Sequence, residues 1–125
     1  MKTIHQSYEV NATPEEVFNA LVTPEIIEQW SGAPARMDDQ PGTRFELWGG
    51  DIYGTNLEVV SGSRLVQEWY GGDWKEPSKA TFNIKPNGRG SIVELIHENV
   101  PEEEYDNINE GWNKYYLGPL REIFT

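Results

Sequence analysis

Five short runs between residues 43 and 98, "TRFELW", "DIYGTNLEVV", "RLVQEWY", "KATFNIK" and "SIVELIHE", are rich in β-branched and aromatic residues and are parted by Gly49-Gly50, Ser61-Gly62, Gly71-Gly72 and Asn87-Gly88. Extended segments broken this often by turn-forming pairs read as an antiparallel meander. Upstream, "TIHQSYEV" alternates and reads as a first strand. Two helix starts follow in tandem: Thr13 as N-cap with Pro14 at the first helical position in "TPEEVFNALV", and Thr23 with Pro24 in "TPEIIEQW". "SGAPARM" then returns to extended chain.

The last segment, "EEEYDNINEGWNKYYLGPLREIF", places Tyr105, Ile108, Trp112, Tyr115 and Pro119 on one helical stripe. Strand, two short helices, five or six strands and one long helix predict an α+β layer arrangement. A helix of roughly 20 residues, about 30 Å long, spans the concave face of a curved antiparallel sheet. Two residues disturb the stripe. Gly111 costs about 1 kcal/mol relative to alanine, and it either brings the helix close to the sheet or leaves a hollow between them. Pro119 loses an amide inside the helix, at a cost of about 3 kcal/mol in an ordinary interior. A kink or restart near Gly118 is expected, with Leu120, Ile123 and Phe124 held by packing.

Composition narrows the function. The 125 residues fit one domain, taken as residues 1–125, and 21 acidic against 10 basic side chains give a net charge of −11. That charge disfavours nucleic acid and anionic membranes as partners, and its plain role is solubility. No apolar run long enough to span a bilayer and no secretory signal are present, and cysteine is absent, so a cytoplasmic location is expected. HExxH, glycine-rich phosphate loops and GxSxG are absent too, so the expectation is a non-enzymatic chain with no cofactor and no metal.

Strand parity points Leu65, Gln67 and Trp69 to one face, with Ala80, Phe82 and Ile84, and Val93, Leu95, His97 and Asn99. These faces are expected to point inward. In "DIYGTNLEVV" parity alone leaves Ile52, Gly54 and Asn56 against Tyr53, Thr55 and Leu57. His97 has two readings, a hydrogen-bonded core or rim group and an acid–base catalyst in a cavity. Trp30, Trp48 and Trp74 read as core filler, whereas Trp69 and Trp112 fill the core or line a pocket.

"TPEEVFNAL", "WSGAPARM", "PGTRFELWGGDIYG", "LVQEW", "NVPEEE" and "EGWNKYY" carry a resemblance across essentially the whole chain. In order and spacing they resemble the START-like, helix-grip superfamily, and within it the C-terminal domain of the activator of heat shock protein 90 ATPase. The resemblance implies a helix-grip fold with a cavity between the long helix and the sheet, and favours Ile52, Gly54 and Asn56 inward. It implies a hydrophobic small molecule or lipid as ligand, or heat shock protein 90 as partner in the stress response. The site residues expected for a ligand are Ile52, Gly54, Asn56, Gln67, Trp69, Phe82, Leu95, His97, Gly111, Trp112 and Tyr115. The activator resembles a two-domain protein, so chaperone binding with little ATPase stimulation is expected of this chain. A cavity-based cyclase or hydrolase, using His97, is the third alternative.

Overall fold

The computed structural model describes residues 1–125. Strand β1 (Lys2–Val10) leads into helices α1 (Pro14–Val22) and α2 (Pro24–Ser31). Thr13 closes a capping box on α1: its hydroxyl accepts from the Glu16 N–H at 3.2 Å, and the Glu16 carboxylate accepts from the Thr13 N–H at 3.0 Å. The repeated device at Thr23 is only half present. Pro24 starts α2, but the Thr23 side chain makes no capping bond, and its backbone N–H closes α1 on the Asn19 carbonyl.

The meander comprises β3 (Arg44–Leu47), β4 (Ile52–Val60), β5 (Arg64–Gly71), β6 (Ser78–Asn87) and β7 (Gly90–Val100), with β2 (Ala35–Arg36) as a two-residue edge strand. All pairings are antiparallel, in the order β1-β7-β6-β5-β4-β3-β2. The first strand therefore joins the last at one edge. Helices α1 and α2 carry the chain across to the other edge, and α1 packs against β6 and β7.

Inner-face parity holds for β5 and β6, where Leu65, Gln67, Trp69, Ala80, Phe82 and Ile84 are buried, and the side that the resemblance favoured holds for β4, where Gly54 and Asn56 are buried. Parity fails at one inward expectation, Asn99. Ile4 pairs with His97 and Lys2 with Val100, so β7 carries an extra residue there. Asn99 takes a left-handed φ of 64° and turns to solvent, and Val100 occupies the core instead.

The C-terminal helix runs through α3 (Tyr105–Gly111), a π-helical turn (Trp112–Tyr116) and α4 (Leu117–Glu122). The expected break near Gly118 lies earlier. The Leu117 N–H donates to the Trp112 carbonyl, five residues back, and Tyr116 leaves helical geometry at φ −116° and ψ −85°. Pro119 can donate no amide, and the wider turn just before it resets the helix without ending it. This resetting changes the buried face. Tyr116, Leu117 and Leu120 are buried, while Tyr115 is 58% exposed and Pro119 is half-buried, so neither belongs to the core stripe. Gln6 on β1 anchors the helix from below by donating to the Asn109 backbone and side-chain oxygens, both at 2.8 Å. No helix is long and apolar enough to cross a membrane.

Candidate functional site

A cavity of about 440 Å³ opens between the C-terminal helix and the end of the sheet where β3 turns into β4. Asn107, Ile108, Gly111, Trp112, Tyr115 and Tyr116 form its helical wall, and Trp48, Asp51, Ile52 and Trp69 face them. Half of the lining residues are aromatic, and a local turn places one of them, Trp48. The stretch Trp48-Gly49-Gly50 takes left-handed φ values of 50°, 66° and 99°. The turn sets the Trp48 ring 6.2 Å from that of Trp30 and 6.1 Å from that of Tyr116. A bulky side chain in this backbone region is uncommon and persists where its surroundings hold it.

Gly111 answers the question raised by its place in the stripe. Its backbone is ordinary helix (φ −61°), and a Cβ built there meets only Tyr115 Cδ2, at 4.0 Å. Close approach to the sheet does not explain this glycine. The space above it belongs to the cavity.

His97 lies behind the cavity wall, fully buried, with both ring nitrogens engaged. Trp112 Nε1–H donates to Nδ1 at 3.1 Å, which fixes the proton on Nε2. Nε2–H then donates to Ser78 Oγ at 2.8 Å, and Ser78 donates to the Trp69 carbonyl at 2.6 Å. The rings of Trp69 and Trp112 pack at 4.5 and 5.5 Å, and burial lowers the His97 pKa to about 3. No carboxylate touches the ring and no lone pair is left to abstract a proton. The arrangement makes His97 a tie between helix and sheet.

Of the residues expected at the site, Ile52, Trp69, Gly111, Trp112 and Tyr115 are brought together around the cavity, with Tyr115 at its exposed mouth. The others lie elsewhere. Phe82 and Leu95 are fully buried beneath the wall, where Phe82 stacks on Tyr116 at 6.0 Å. Asn56 and Gln67 pin a loop: Gln67 Nε2 donates to Asn56 Oδ1 at 3.0 Å, and Asn56 Nδ2 reaches the Asp38 carbonyl at 3.1 Å and Thr43 Oγ1 at 3.2 Å. Gly54 is a close-packing position, where a Cβ would fall 1.8 Å from the Glu68 carbonyl oxygen.

Trp48, Asp51, Asn107, Ile108 and Tyr116 line the cavity without having been expected there. Ile108 stood on the predicted stripe, and the Gly118-Pro119 pair was the available sign that the stripe would shift from Tyr115 to Tyr116. Tyr116 OH and Trp69 Nε1 are buried without a hydrogen-bond partner. Burial pushes the Tyr116 pKa well above its ordinary value, so the phenol stays neutral.

A curved antiparallel sheet gripping a C-terminal helix, with a cleft between them, defines the helix-grip class. The chain belongs to the family described as Activator of Hsp90 ATPase homolog 1-like protein, whose model matches residues 11–125. It is 24% identical over 127 residues to the Activator of 90 kDa heat shock protein ATPase homolog of Dictyostelium discoideum, covering 99% of this chain and 33% of that protein. It is 25% identical over 114 residues to homolog 1 from Homo sapiens, covering 90% and 34%. The chain thus spans about a third of the length of these curated relatives. The crystal structure of an HSP90 activator from Plasmodium falciparum superposes with a TM-score of 0.92 at 24% identity, covering 98% of this chain and 96% of that one. The Aha1 dimer from Colwellia psychrerythraea gives 0.85 at 17% identity, covering 99% and 96%. At these identities the two structures speak for the fold.

Proposed function

We propose that the chain is a co-chaperone-like module that associates with heat shock protein 90 in the cytoplasm, with residues 1–125 acting as one domain. The family match over residues 11–125 carries this reading. Association rests on the surface of the fold, because His97, Asn56 and the Gln67 amide N–H are engaged within it. Titration of purified heat shock protein 90 with the 125-residue chain, followed by calorimetry and by ATPase rate, tests it. Measurable binding with little stimulation is expected, since the chain matches about a third of its relatives. No heat release up to about 1 mM, a binding free energy weaker than about 4 kcal/mol, would end this reading.

The cavity favours a second reading, a hydrophobic small molecule held between helix and sheet without chemistry. About 440 Å³ with mostly apolar walls lies within the usual range of small-molecule sites. Gly111→Leu is the direct probe. Leucine removes the glycine penalty and enters open space, so stability is expected to hold or rise by about 1 kcal/mol while uptake of apolar probes falls. Thermal unfolding and tryptophan fluorescence check both halves. Unchanged probe uptake by a stable Gly111→Leu protein would mean that the cavity is not where such molecules sit.

A further inference from the structure

The walls of this cavity also restrict the charge of what can enter it. Asp51 is the only charged side chain among its lining residues, stands exposed at the mouth and makes no ion pair. Beside it the half-buried ring of Trp48 and the exposed ring of Tyr115 supply electron-rich surface on which an organic cation can settle, while Trp69 and Trp112, each 2% exposed, form the floor. Lys114 Nζ lies 5.4 Å from the Tyr115 ring centroid, beside the mouth, but the cavity wall itself carries no basic group.

Building on the cavity reading, we propose that the site selects an apolar or aromatic amine in its protonated form, with Asp51 as counter-ion at the mouth and the indole and phenol rings around the ligand's body. An acyl chain with a free carboxylate meets the opposite arrangement. Its head would face Asp51 within a chain of net charge −11.

Three probes of one shape separate the terms: 4-phenylbutylamine, 4-phenylbutan-1-ol and 4-phenylbutyrate, each titrated by calorimetry and by tryptophan fluorescence. The amine is expected to bind roughly tenfold tighter than the alcohol, the combined effect of an exposed cation–π contact and an exposed ion pair, with the carboxylate weakest. Asp51→Asn should remove about half of that preference, the share of the ion pair, and leave the alcohol unchanged. Glu103→Gln, an equal loss of charge at an exposed position outside the cavity wall, should preserve it. Equal binding of amine and alcohol would overturn the charge selection and leave the apolar cavity standing, whereas no binding of any probe would remove both. Equal effects of the two variants would assign the preference to overall charge and overturn the role of Asp51.

Discussion

Gly118→Ala is expected to destabilise the protein by about 3 kcal/mol, the upper end for side chains forced into filled space. Gly118 is buried in α4, and a Cβ there would lie 1.9 Å from the Asn113 carbonyl oxygen and 3.0 Å from its carbon. This contact follows from the π turn. Its wider path brings the carbonyl five residues back over Gly118, where a regular helix would leave room. The obstacle is backbone, so no side-chain rotation relieves it. Urea unfolding measures the loss, and helical circular dichroism reports whether the turn survives. A cost below about 0.5 kcal/mol, the range of a neutral surface change, would mean that the π turn relaxes easily to an ordinary helix. The contrast with Gly111, seven residues earlier, is instructive: two glycines in one helix carry opposite expectations because one faces a cavity and the other a carbonyl.

The stability gap between the wild type and His97→Gln is expected to shrink by about 2 kcal/mol as pH falls from 7 to 5. The folded protein keeps His97 neutral down to about pH 3, whereas the unfolded chain takes up a proton near 6.5. Below 6.5 the unfolded state therefore binds more protons. The stabilisation tied to neutral His97 is complete above that value and is lost as pH falls towards 3, with a slope of about 1.4 kcal/mol per unit. Protonation within the fold would also set two donors, Nδ1–H and Trp112 Nε1–H, against each other. Glutamine does not titrate, so subtracting its profile removes the contribution of the carboxylates. Parallel profiles for the two proteins would contradict a neutral His97 locked between Trp112 and Ser78.

The polar residues on the inner wall show how far sequence reasoning reaches. Parity placed Gln67 and His97 inside, the family resemblance chose the same side for Asn56, and all three are buried there. Their partners were beyond it: His97 bonds Ser78 and Trp112, 19 and 15 residues away in the chain, and only the folded sheet sets those separations in space. The same limit explains Asn99. Alternation counts residues without seeing a bulge, and this one is set by β1, whose register on β7 shifts between Lys2 and Ile4.

The sequence by itself determined the parts whose causes are local. Glycine-bearing turns and β-branched runs specified the meander, and Thr13, Pro14 and Pro24 specified where two helices start. Tertiary structure decided which partners those parts meet. It paired β1 with β7, moved the buried face from Tyr115 to Tyr116, and gathered Trp48, Asp51 and Ile52 from one turn opposite Gly111 and Trp112 from the helix. The physical reason is range. Backbone preference and capping act within a few residues, whereas a cavity wall is fixed by close packing between segments some 60 residues apart in the chain, and a single extra residue in a helical turn redirects every side chain after it.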